Sequence, residues 1–198
     1  MDVKKILTDS GVGLIRQIVT TLRGIVILPI ITKLISVEAY AVWTLIFATV
    51  AIFMGLGNLH LFGALIRYQP VEENKGQTLS DLLFVSIFAA ILTGLLVSVL
   101  IGRFIPLTEQ AAWGLTIPVI AGLLVSIRIV GLIIRNVPRS EGKVKTYEII
   151  IILRKILETV VLVIALLVTK NIAAGLLSIA ITSFFVYAIL ILIYLPGR

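Results

Sequence analysis

Long apolar runs separated by short polar breaks dominate this chain. A helix that crosses a membrane needs about 20 apolar residues, and six stretches are long enough. None alternates between apolar and polar residues as a membrane β-barrel strand does, so each is predicted to be an α-helix. The predicted class is an all-α bundle of six membrane spans, covering about 11–35, 39–66, 79–101, 111–134, 148–169 and 172–195.

The breaks between these spans predict how the chain is oriented. They fall at 36–38, 67–78, 106–110, 135–147 and 170–171. Lys and Arg accumulate on the cytoplasmic side of membrane proteins. A cytoplasmic N-terminus places nine of them inside and three outside, whereas the opposite orientation reverses the ratio. Both termini are therefore predicted to face the cytoplasm.

Composition supports a multi-pass membrane protein. The 198 residues are 60% hydrophobic and 14% charged, with a mean hydropathy of +1.18. A soluble domain has about 25% charged residues. We expect one transmembrane domain over 1–198, with the first apolar stretch retained because it is too long for a signal peptide. The net charge of +7 indicates topology and contact with membrane lipids rather than nucleic-acid binding.

Two arginines inside the first span are the main functional clue. Arg16 and Arg23 lie seven residues, about two helical turns, apart, and Thr20 lies between them on the same face. If the membrane begins near residue 11, Arg23 is roughly 18 Å deep, near the middle of the hydrocarbon core. A cation there is costly unless it faces protein, water or an anion. The stripe predicts a cavity that binds negative charge, or a buried structural ion pair.

Further charges lie at intermediate depth in two other spans. With Arg16, the residues Arg128, Arg154 and Lys155 form a shallower cationic layer. This layer indicates either a vestibule for an anionic headgroup or side chains that extend toward anionic lipids. Glu158 follows Arg154 by four residues and Lys155 by three, so it is predicted to pair with one of them. An alternative role for Glu158 is proton coupling.

Signs of catalysis are missing from the sequence. There is no cysteine, no paired-carboxylate metal motif, no Gly-rich phosphate loop and no Ser or His arrangement for nucleophilic attack. We therefore expect no enzyme activity, no metal and no cofactor. Gly55 and Gly57 near the end of the second span indicate either close helix packing or a local break.

Three segments resemble polysaccharide flippases. Residues 28–40, LPIITKLISVEAY, resemble the end of the first helix in the Wzx-like members of the multidrug/oligosaccharidyl-lipid/polysaccharide exporter superfamily, although Ala41 stands where that family has Gly. Gly55-Leu56-Gly57 followed by Arg67-Tyr68 is similar to the end of the second helix. Residues 135–147, leading into the helix of Arg154, resemble the loop between helices four and five.

This resemblance implies a function and a partner. It implies transport of a polyprenyl-pyrophosphate-linked oligosaccharide from the inner to the outer leaflet of the cytoplasmic membrane, through a cationic cavity between two six-helix lobes. Substrate contacts are then expected from Arg16, Thr20, Arg23, Arg128, Arg154 and Lys155. Family members have twelve to fourteen spans, so this chain resembles the N-terminal lobe alone. Three arrangements stay open: a truncated gene product, one part of a split protein that pairs with a second six-helix lobe, or a half that pairs with a second copy of the chain.

Two other functions remain open from the sequence. A multidrug-type exporter of cationic compounds needs acidic residues in its cavity, and Glu158 is the only candidate. A non-transporting scaffold or remnant needs no cavity, since its arginines would pair internally or extend toward lipid headgroups.

Overall fold

The structure is a computed structural model that describes residues 3–72, 74–104 and 116–194. These residues form seven α-helices and no strand. The first helix, α1, covers Val3–Leu34, and it is followed by α2 (Val37–Gly57), α3 (Leu61–Tyr68), α4 (Lys75–Phe104), α5 (Thr116–Ser140), α6 (Val144–Thr169) and α7 (Ile172–Tyr194). The predicted break at 106–110 and residues 111–115 and 195–198 lie outside the described residues.

The apolar helices confirm a helical, multi-pass membrane protein. Five of them, α1, α2, α4, α5 and α7, are long and apolar enough to cross a membrane. The remaining long helix, α6, has 26 residues, but Arg154, Lys155 and Glu158 lie within it. Its length suits a span, whereas its charge requires that it face protein or water.

The predicted second span, 39–66, is wrong as a single helix. After α2 ends at Gly57, Leu59 and His60 adopt left-handed backbone conformations with φ of 47° and 56°. A Cβ atom on Gly57 would lie 2.5 Å from Ile129 Cδ1, so this helix end is pressed against α5. The chain turns there and continues as α3. Hydropathy missed the break because Asn58 and His60 are the only polar residues there, and apolar residues continue on both sides of them.

The predicted fourth break is also too long. Residues 135–140 belong to α5 and residues 144–147 belong to α6, so only three residues form the turn. Gly142 has φ of 73°; its N–H donates to Arg139 O, and Lys143 N–H donates to Pro138 O. This is a Schellman cap, which favours glycine because of its left-handed conformation. Charged residues had indicated a loop, yet they continue the helices beyond the apolar core.

The helix α5 is the centre of the bundle. It contacts α2, α3, α4, α6 and α7, and 67% of its most apolar window is buried. By contrast, α1 lies at the edge and packs mainly on α6, with 6% of its most apolar window buried. Most of α1 is therefore held by one neighbour.

Candidate anion site

Polar contacts join α1 to α6 along a single face. Arg16 Nε lies 2.8 Å from Glu148 Oε2, although the pair lacks hydrogen-bond alignment. One turn further along α1, Lys155 Nζ donates to Thr20 Oγ1 over 2.6 Å. Thr20 Oγ1 in turn donates to the carbonyl oxygen of Arg16 over 2.8 Å. These contacts form the first two levels of the interface.

A third level lies deeper along both helices. Arg23 Nη1 is 3.2 Å from Glu158 Oε2. Residue numbers increase together on the two helices, so α1 and α6 run in the same direction. We call this face the polar seam; it consists of Arg16, Thr20 and Arg23 of α1 and of Glu148, Lys155 and Glu158 of α6.

The two carboxylate oxygens of Glu158 have different neighbours. The side chain is almost fully buried, with 1% of its surface exposed. Oε1 accepts a hydrogen bond from Ser183 Oγ over 2.7 Å and lies 3.6 Å from Arg154 Nε. Oε2 has the Arg23 charge beside it but no aligned hydrogen-bond donor among the described residues. Oε1 is thus held by a hydrogen bond and a nearby charge, whereas Oε2 is held by the Arg23 charge alone.

Arg154 is committed to neighbours inside the bundle. Its Nη1 donates a hydrogen bond to the Tyr187 hydroxyl, and its guanidinium carbon lies 5.4 Å from the centroid of the same ring. Together with the ion pair to Glu158, these contacts compensate the charge of this buried arginine within the bundle. The predicted pairing of Glu158 with Arg154 is therefore present, whereas Lys155 turns to Thr20 instead.

Arg128 on α5 lacks such partners. Its guanidinium carbon lies 5.4 Å from the centroid of the Phe47 ring, and Phe47 packs on Trp43 with centroids 4.7 Å apart. Its Nε is buried without a hydrogen-bond partner among the described residues. Within that part of the chain, no carboxylate lies within 4.0 Å of Arg128. A buried donor without an acceptor is costly, so this guanidinium favours an added anion.

A cavity of about 550 Å³ opens beside the polar seam. That volume is in the range of small-ligand sites. Its lining comes from α1, α2, α5, α6 and α7, and its charged lining residues in the described chain are all cations: Arg23, Arg128 and Lys155. Thr20 also lines it, while Arg16 and Arg154 do not. The structure thus brings four of the six predicted binding residues, Thr20, Arg23, Arg128 and Lys155, to the lining of one cavity.

Charge around the cavity and the polar seam is unbalanced. Five cations are opposed by two carboxylates, which leaves three positive charges in excess. Two unit charges 4 Å apart interact by about 4 kcal/mol at an effective dielectric constant of ~20. A polyanion in the cavity would relieve this excess. The residues counted are Arg16, Arg23, Arg128, Arg154 and Lys155 against Glu148 and Glu158.

Sequence reasoning missed several residues of the site. Glu148 precedes Lys155 by seven residues, which is the same spacing as Arg16 and Arg23, so a search for that interval would have found it. Ser183 and Tyr187 lie four residues apart and therefore share a face of α7. Their polar side chains in an apolar helix were the available signal.

No family model, no curated protein and no solved structure matches this chain.

Proposed function

We propose that the chain is one lobe of a transporter that moves a polyprenyl-pyrophosphate-linked oligosaccharide across the cytoplasmic membrane. The carrying observation is the cavity whose charged lining residues, Arg23, Arg128 and Lys155, are all cations. A pyrophosphate accepts charge-assisted hydrogen bonds from such groups. The sugar crosses the membrane together with the pyrophosphate, and no bond of the substrate is broken. The polyprenyl chain stays in the bilayer.

The proposal includes a sixth span and a second lobe. The charged face of α6 is covered by α1 and α7, which allows α6 to cross the membrane as well, with both chain ends in the cytoplasm. The cavity adjoins α1, the least covered long helix. A second six-helix lobe, or a second copy of this chain, would close it from that side, and rocking of the two lobes would alternate access.

Export of cationic drugs is less well supported. Such a substrate needs an available carboxylate, but Glu158 does not line the cavity and is already opposed by Arg23 and Arg154. Positive charge at the wall would repel the substrate.

The decisive experiment measures lipid flipping in vesicles that contain the purified chain. A fluorescent polyprenyl-pyrophosphate sugar is added to the vesicles. A membrane-impermeant quencher then measures the fraction of the fluorescent lipid that lies in the outer leaflet. We expect Arg23→Ala to lower the flipping rate at least tenfold, because a charge-assisted hydrogen bond contributes about 1.5–3 kcal/mol and 1.4 kcal/mol corresponds to tenfold.

Lys33→Ala is the matched control. Lys33 is an exposed cation on the same helix and does not line the cavity, so its loss should leave the rate within about twofold. Wild-type flipping by Arg23→Ala would contradict the role of the cavity. A wild-type rate no higher than that of empty vesicles would contradict transport by copies of this chain alone; the same assay with a separate second lobe added would then decide between a two-chain transporter and a scaffold.

A further inference from the structure

We propose that Glu158 is a built-in counter-ion that an incoming phosphate-type anion replaces at Arg23. The inference rests on the proposed function, since it concerns the same cavity. The ligand class is a polyanion with phosphate oxygens, either carried on a lipid or free in solution. Before it arrives, the Glu158 carboxylate compensates the deep arginine; afterwards, the ligand does.

The geometry of Glu158 makes one of its two contacts replaceable. Oε1 is fixed by the Ser183 hydroxyl and lies near Arg154, both within the bundle. Oε2 approaches Arg23 Nη1 at 3.2 Å without an aligned hydrogen bond. Loss of the Arg23 contact therefore leaves Glu158 with a cation and a hydrogen-bond donor, so the carboxylate is not stranded without partners.

Arg23 is accessible from the cavity side. Its side chain is 19% exposed, compared with 1% for that of Glu158, and Arg23 lines the cavity whereas Glu158 does not. An anion in the cavity can thus contact Arg23, whose carboxylate partner does not line the cavity. A guanidinium has five N–H donors in a planar fork, so it can leave one acceptor and bind two phosphate oxygens.

Two further cations make the exchange favourable for a polyanion. Lys155 and Arg128 line the same cavity, and neither has a carboxylate within 4.0 Å among the residues the structure describes. Lys155 Nζ has the Thr20 hydroxyl as its partner, and a hydroxyl carries no compensating charge. A ligand with two phosphate groups can oppose Arg23 with one and these two cations with the other.

The test measures binding of inorganic diphosphate to the full chain in lipid nanodiscs by calorimetry. Glu158→Gln removes the competing charge and should tighten binding about tenfold. Glu158→Asp keeps the charge but shortens the side chain away from Arg23, so it should tighten binding about threefold and serves as the variant with the smaller effect on folding. Arg23→Gln should weaken binding about tenfold.

Glu148→Gln is the matched control. It also removes a buried carboxylate from the polar seam, but neither it nor Arg16 lines the cavity, so affinity should stay within about twofold. In the double variant Arg23→Gln/Glu158→Gln the gain from Glu158→Gln should vanish, because the contested cation is gone. Trp43, which lines the cavity, reports the location of binding by its emission in a Trp113→Phe background.

The outcomes separate the two proposals. If Arg23→Gln weakens binding while both Glu158 variants bind no more tightly than wild type, ion exchange is overturned and the anion cavity stands. If wild type and all variants fail to bind diphosphate, exchange and the proposed function are both overturned. Preloading the nanodiscs with polyprenyl diphosphate should lower the apparent affinity for diphosphate. Unchanged affinity there supports exchange with a soluble anion and contradicts the lipid-linked substrate.

Discussion

The α4–α5 interface and the α1–α6 interface are built from different contacts. Gly94 and Gly122 let α4 and α5 approach so closely that a Cβ atom on Gly94 would lie 2.9 Å from the carbonyl oxygen of Gly122. Ser126 Oγ also donates to the carbonyl oxygen of Ala90 on α4 over 2.8 Å. Small residues of this kind bring membrane helices into van der Waals contact.

The α1–α6 interface relies instead on the polar seam. Its two ion pairs and its lysine–threonine hydrogen bond join α1 to α6. The helix α6 also packs on α5 and α7, whereas α1 has few contacts with any other helix. Closely packed backbones fit together in only one relative position. A charged side chain, by contrast, can pair with any group of opposite charge that comes within reach. Close packing predicts a rigid centre around α5, and the proposed exchange at Arg23 would let a ligand anion alter the attachment of α1.

The largest expected effect is the loss of the carboxylate at the deep end of the polar seam. Glu158→Ala leaves Arg23 and Arg154 without their shared anion, and breaking a buried ion pair on one side costs about 3–5 kcal/mol. We expect that loss in the free energy of unfolding in mild detergent. Glu148→Ala should cost less than Glu158→Ala, because the Arg16 side chain is 36% exposed, so water can solvate its charge once the buried Glu148 carboxylate is gone. Equal losses would show that depth along the polar seam is irrelevant.

A smaller loss of stability is expected when a methyl group is added at the close contact between α4 and α5. In Gly122→Ala the new methyl group meets the carbonyl oxygen of Gly94, and overpacking costs about 1–3 kcal/mol. We expect a corresponding decrease in the midpoint temperature of unfolding. Gly24→Ala on α1 is the control, since a Cβ atom there has no neighbour within 4 Å; its change should be within about 0.5 kcal/mol. A tolerated Gly122→Ala would contradict the rigid centre.

The smallest change in stability is expected at Lys155. Lys155→Met removes the hydrogen bond to Thr20 but also removes a cation that follows Arg154 directly in the chain and lies among a surplus of positive charge. These effects oppose each other, so the free energy of unfolding should change by less than about 1 kcal/mol, while diphosphate affinity in nanodiscs falls severalfold. A stability loss with unchanged affinity would assign Lys155 to structure alone.

Much of the architecture was predictable because bilayer burial requires long apolar helices. Arg16 and Arg23 were recognised as anomalous from their spacing and depth. Glu158 was predicted to pair with Arg154 or Lys155, and the structure shows the pair with Arg154. A local break was one of two interpretations of Gly55 and Gly57, but the span was still predicted to run through Leu59 and His60, because Asn58 and His60 are isolated polar residues within a longer apolar run. The turn at Gly142 was placed too broadly, since charge alone does not end a helix.

Hydropathy and spacing determined by themselves that this chain is a helical membrane protein with an excess of buried positive charge and a polar face on α1. Those properties depend on local composition and on the helical period, and both follow from residues that are close together in the sequence. The tertiary structure alone decided that Arg23 meets Glu158, that Glu148 pairs with Arg16, and that Arg128 comes from α5 to the same cavity. Such contacts join residues more than a hundred positions apart, and they depend on which helices become neighbours and in what register.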